Sequence, residues 1–122
     1  MRAKKSFLSR VPVALAAAFI SLPALAVDYA CDGPVNGVTV GPSGVVSAAS
    51  AGGQSWGYFC QVNGTSNGIS PEACRGMLAV LLTAQASGKQ VRIWFRDDYN
   101  NCSTPRGWAW LSTMYWGPSM IE

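Results

Sequence analysis

The sequence contains no histidine. That absence excludes the usual Ser-His-Asp relay, in which an imidazole takes the nucleophile's proton. It also weakens any case for zinc, as does the lack of a CxxC pair. The four cysteines are spaced 29, 14 and 28 residues apart, which is wrong for a zinc knuckle. No internal repeat or low-complexity tract is visible. The main apolar run, residues 11–22, carries Pro12, is followed by Pro23, and is too short to cross a bilayer as a helix.

An excess of basic charge is also missing once the start of the chain is set aside. Arg2, Lys4, Lys5 and Arg10 precede the apolar run, and the small-residue triplet Ala24-Leu25-Ala26 follows it. This is the pattern of a secretory signal peptide over residues 1–26. Cleavage there leaves a single domain of 96 residues, 27–122, with no membrane anchor and a periplasmic or secreted location. Four of the nine basic residues belong to the leader and none of the six acids do, so five face six and the mature charge is −1. A nucleic-acid partner has no electrostatic support at that charge.

What the mature part does have is cysteine and tryptophan. Cys31, Cys60, Cys74 and Cys102 all lie within it, and an even number in a small exported domain reads as two disulfides. Four cysteines allow three pairings, and their positions alone do not choose among them. Paired cysteines offer no thiolate nucleophile. Asp97-Asp98 is a carboxylate pair, but neighbours at a strand end point apart and only neutral Asn100 and Asn101 follow, so it reads as a solvated turn. The expectation is a protein that is not an enzyme and has no cofactor and no metal site.

Ser70 to Arg96 organises the fold. Ser70, Pro71 and Glu72 form a helix start, and Cys74, Met77, Leu78, Leu81 and Gln85 recur at helical spacing, with Leu82 widening the stripe. Gly88 stands where a left-handed cap ends a helix. The period then changes to two, with Val91, Ile93 and Phe95 opposite Arg92, Trp94 and Arg96. Upstream, an irregular start over residues 27–36 leads to short strands at 37–40, 43–49 and 55–62; downstream, a polar loop leads to a strand at 108–116. Mainly β structure with one helix between the third and fourth of five strands is the element order of an OB-type barrel. A small open sheet with a helix laid across it is the competing architecture.

All five tryptophans lie in the mature domain, and two readings of them stand side by side. In one, Trp108, Trp110 and Trp116 build the core and the N-terminal segment covers Trp94. In the other, exposed tryptophan beside Arg92 and Arg96 serves sugar stacking or a subunit interface.

Tyr58-Phe59-Cys60, a loop, Cys74, a helix and then Gly88-Lys89-Gln90-Val91-Arg92-Ile93 resemble the B subunits of the subtilase-cytotoxin type and related short exported bacterial proteins. The similarity runs from Ser43 to Phe95. It implies an OB barrel, a ring-shaped homopentamer, an enzymatic toxin subunit as partner and a cell-surface glycan as ligand. It also implies the pairing Cys60–Cys74 and, by exclusion, Cys31–Cys102. Of the glycan-contacting positions, Ser43 matches, whereas Thr39 stands for an aspartate and Phe95 for a tyrosine. The implied binding site joins Ser43 to a stacking wall of Trp94 or Phe95, with Arg92 or Arg96 facing a ligand carboxylate. The alternative is a small exported structural or interaction protein with no glycan site.

Overall fold

A computed structural model describes residues 12, 14, 16–22 and 26–122. Within the expected leader, Phe19, Ile20 and Leu22 are almost fully exposed and join no core. Arg2, Lys4, Lys5, Arg10 and the first two residues of the expected cleavage site lie outside the described residues.

Among the described residues there are six strands and one helix. They are β1 (Val27–Pro34), β2 (Asn36–Val40), β3 (Val45–Ser50), β4 (Tyr58–Gln61), α1 (Pro71–Ser87), β5 (Gln90–Asp97) and β6 (Met114–Ile121). They form two antiparallel three-stranded sheets, ordered β1-β5-β6 and β2-β3-β4. The expectation of a mainly β domain with one helix and two disulfides holds. The five-stranded barrel does not: the sheets number two, and the helix follows the fourth strand.

The additional strand is β1, in the segment expected to be irregular. Asp28, Asp32, Gly33 and Pro34 break any apolar alternation, yet the whole segment pairs with β5, from Val27 opposite Asp97 to Pro34 opposite Gln90. Long-range pairing overrides local propensity here. Gly33 is required by a close crossing, because a Cβ there would lie 2.3 Å from the amide nitrogen of Gly53. The last strand also starts later than expected, at Met114, and runs through Pro118. Pro118 is tolerated because β6 is an edge strand.

The helix forms for the local reasons its sequence announces. The Ser70 side chain accepts a hydrogen bond from the Ala73 amide at 3.2 Å, Pro71 opens the first turn, and Gly88 closes the last at φ 67°. Cys74, Leu81 and Ala84 are buried, with Met77, Leu78 and Val80 packed beside them. The stripe is narrower than expected, since Leu82 is 46% exposed. Gln85, at the polar end of the stripe, accepts the Val38 amide at 2.9 Å and ties α1 to β2.

Between the sheets and the helix, Val46, Phe59, Leu81, Ile93, Phe95 and Leu111 are almost completely buried. Both disulfides reach this core. Cys60–Cys74 fastens β4 to the first turn of α1, and Cys31–Cys102 fastens β1 to the β5–β6 connection. In the chain-entropy model the short loop contributes about 3 kcal/mol and the long one about 4.5 kcal/mol. In a domain with so small a core that is a substantial addition.

Leu81 therefore has a cavity-forming role that a neighbouring position lacks. Leu81→Ala should destabilise the domain by about 2–5 kcal/mol in urea denaturation, whereas Ala79→Lys, on the exposed face, should change stability by less than about 0.5 kcal/mol. Equal losses would contradict the packing described here.

Candidate functional site

The β5–β6 connection, residues 98–113, carries no strand, and three features hold it in place. The first is the Cys31–Cys102 bond. The second is a run of backbone hydrogen bonds to the segment preceding and opening β4. Trp108 N donates to Trp56 O, Tyr58 N to Ala109 O, and Leu111 N to Tyr58 O, each at 2.9 Å. Tyr58 and Trp110 thereby form a parallel bridge between the two halves of the molecule. Gly107 lets the segments meet, because a Cβ there would lie 2.9 Å from Ser55 O.

The third feature is Arg106. Its side chain is 8% exposed and faces Asp97, whose side chain is 6% exposed, with 3.4 Å between Nη2 and Oδ2. Arg106 also donates to the Tyr29 hydroxyl and to Gln54 Oε1, and its guanidinium lies 4.4 Å over the Phe95 ring. Asp97 accepts further bonds from Tyr29 Oη at 2.6 Å, Thr113 Oγ1 at 2.7 Å and the Tyr99 amide at 3.0 Å. The expected solvated turn at Asp97-Asp98 is thus half wrong. Asp98 is exposed, but Asp97 is the buried anion of a network joining β1, β5 and the loop.

Burial acts to raise the Asp97 carboxyl, but the bonds from Thr113, Tyr29 and Tyr99, with the Arg106 charge, outweigh it and hold the group below its ordinary value. Burial, followed by the bond to Asp97, pushes the Tyr29 hydroxyl up to about 12.

Loop and clamp together present two stacked tryptophans. The Trp56 and Trp108 rings lie 5.1 Å apart at an interplanar angle of 11°. Both residues have left-handed backbones, φ 54° and 59°, a conformation that is a genuine outlier for a bulky side chain. Trp108 is 68% exposed. On one side of the stack lies a cavity of about 340 Å³, with Thr39, Ser43 and Ser47 facing Trp56, Tyr58 and Trp108. Hydroxyls and aromatic faces line it, and no charged residue does. Such a lining suits an uncharged polyol ring, with apolar C–H groups against indole and hydroxyls against serine and threonine.

Of the site expected from sequence, only Ser43 lies here. Arg92, Trp94, Phe95 and Arg96 belong to β5 in the other sheet and do not line the cavity. Phe95 is fully buried against Tyr29, so it cannot be a stacking wall. Trp94 is half-buried between its strand partners Ala30 and Trp116. Both arginines are instead paired with carboxylates of β1. Arg92 binds both oxygens of Asp32 at 2.7 and 2.8 Å, and Arg96 both oxygens of Asp28 at 2.6 and 3.0 Å. The hydrogen bonds from these arginines hold the two carboxyls below their ordinary value.

The sequence reading missed Trp56 and Trp108 as partners. Their one shared signal was a flanking glycine, Trp56-Gly57 and Gly107-Trp108. The reading in which Trp108, Trp110 and Trp116 build the core is overturned, since these are 68%, 38% and 66% exposed.

A scan against protein-family models, a search of curated proteins and a search of solved structures each gave no match to this chain. Among the described residues, no helix is long and apolar enough to cross a membrane.

The buried network makes two measurable demands. Arg106→Gln should cost about 3 kcal/mol, because Asp97 keeps its charge without its partner. Asp97 has a lowered folded pKa, so its stabilisation is complete above the unfolded carboxyl value of about 4 and is lost as pH falls through the lower folded value. Thermal unfolding followed between pH 2 and 6 should show that loss, and Asp97→Asn should flatten it. Tyr29 has the opposite sign: its contribution is complete below about 10 and fades as pH rises through its raised folded value.

Proposed function

We propose that this chain is an exported, non-catalytic binding module that recognises a glycan in the cavity between Ser43 and the Trp56–Trp108 stack. The observation carrying the reading is the stack itself: two adjacent tryptophans held in left-handed backbone geometry, one largely exposed, beside a row of hydroxyls. Strain of this kind is retained where the surroundings over-determine it, most often at ligand sites. With no charged side chain in the lining, the favoured ligand is a neutral sugar.

Several features support kinship with toxin B subunits. Ser43 keeps its position at the cavity. The disulfides pair as the resemblance implies, Cys60 with Cys74 and Cys31 with Cys102. Only Val35 separates β1 from β2, and the parallel bridge from Tyr58 to Trp110 links the two sheets. Two disulfides fit an oxidising, periplasmic or secreted location and removal of residues 1–26 as a signal peptide.

Ring assembly with copies of itself, and beyond that with an enzymatic subunit, belongs to the same proposal. Trp116, Tyr115 and Met120 on β6 and Leu82 on α1 are exposed apolar groups that a subunit contact would cover. Those exposed groups also favour the second reading, an interaction protein with no glycan site. Native mass separates the two: roughly 50 kDa for five mature chains and roughly 10 kDa for one.

A glycan array probed with mature protein tests the ligand class. Binding to neutral glycans should weaken by ~1 kcal/mol in Ser43→Ala and by more in Trp108→Ala. An array signal unaffected by either substitution, or no signal from a folded protein, would leave the interaction protein as the better reading.

A further inference from the structure

The Trp56–Trp108 stack has a second cavity against it. This one, also about 340 Å³, is lined by Gln54, Ser55, Ser103 and Thr104, together with the same Trp56 and Trp108. Each cavity is at the small end of the range for ligand sites. We infer that the two are adjoining subsites for one extended ligand, a neutral oligosaccharide of at least two rings that crosses the tryptophan stack. The inference rests on the glycan reading of the Ser43 cavity and adds a second position to it.

Three observations carry it. The stack is shared, because Trp56 and Trp108 line both cavities, so a ligand that occupies both would run along the same indole pair. The second cavity repeats the chemistry of the first, with serine and threonine side chains beside indole. Its one charged side chain, Arg106, is neutralised by Asp97 and further engaged by Tyr29 and Gln54. An anionic ring therefore finds no free cation in either cavity, whereas a neutral ring finds hydroxyl partners in both and the Gln54 amide in the second.

The rigidity of this wall also matters. Cys102, Ser103 and Thr104 follow directly on one another, with Cys102 bonded to Cys31 and Asn101 Oδ1 accepting the amides of Ser103 and Thr104 at 3.0 and 2.8 Å. Gln54 is held by Arg106 from below. A second ring would meet a wall already in place, and little ordering entropy would be lost on binding.

The test uses mature protein and two ligand series, galactose with lactose and N-acetylglucosamine with its β1,4-linked dimer and trimer, titrated by calorimetry and tryptophan fluorescence. In at least one series the disaccharide should bind roughly tenfold or more tightly than its monosaccharide. Ser103→Tyr, which fills the second cavity from an exposed loop position, should abolish that gain and leave the monosaccharide affinity unchanged. Ser55→Arg should do the same from the opposite wall, and a native-like thermal transition in either variant shows that it is folded. Disaccharides that bind no better than monosaccharides, or a gain that survives both substitutions, would overturn the second subsite and leave the Ser43 site standing. If no sugar of either series binds and Trp108→Ala leaves the fluorescence titrations unchanged, both the site and its extension fail.

Discussion

Arg106 is the side chain on which the end of the molecule that carries the tryptophan stack depends. It rises from a loop without strand structure and reaches Asp97 on β5, Tyr29 on β1 and Gln54 between β3 and β4. Removing two charges from water is costly, and a bare ion pair often fails to recover that cost. Here Asp97 accepts bonds from four groups, while the guanidinium shares its remaining donors and lies over Phe95. Only Nε is left without an acceptor. The network exchanges hydrophobic simplicity for geometric definition, since a directional cluster fixes the loop where apolar contacts would let it slide. The position of Trp108, two residues beyond Arg106, follows from that.

The distribution of charge across the domain reinforces the point. Asp28 faces Arg96 and Asp32 faces Arg92 as direct partners in the β1–β5 register, and Arg106 takes Asp97. Three of the five basic residues in 27–122 are thereby paired within the two-strand ribbon and its loop. The outer pairs are exposed and contribute little to stability. Their effect is to pair the cations of the sheet with carboxylates of the neighbouring strand. The arginines that flank Trp94 in sequence read naturally as a ligand clamp. In three dimensions they register β1 against β5.

How far the sequence could be read depended on whether the controlling interactions were local. The helix, its Ser70 cap, its Gly88 stop and the β5 alternation all depend on neighbours within a few residues, and all were legible. The strand β1 was not, because Asp28 and Asp32 gain their reason for being extended only from Arg96 and Arg92, more than fifty positions away. Asp97 was misread for the same cause: nothing beside it in sequence reveals Arg106 or Tyr29. The disulfide pairing came from a resemblance rather than from spacing. Ser43 does line a cavity, but the aromatic residues beside it were sought on β5, where period-two reasoning could assign a face and could not say whether that face was buried.

The Trp56–Trp108 pair was the least legible feature, and the reason is energetic. Left-handed backbone is disfavoured for tryptophan by local sterics, by an amount on the order of 1–3 kcal/mol per residue. Any argument from local preference would therefore place these residues elsewhere. What stabilises them is collective: the Trp108 to Trp56 backbone bond, the parallel bridge beside it, the approach allowed at Gly107 and the loop anchored by Arg106 and Cys102. A domain of this size with only a small aliphatic core has little stability to set against such strain. The two disulfides supply part of it, and Cys31–Cys102 does so at the loop that carries Trp108. The same covalent tie that stabilises the fold thus also holds the indole wall rigid, and a rigid wall loses little entropy when a ligand settles against it.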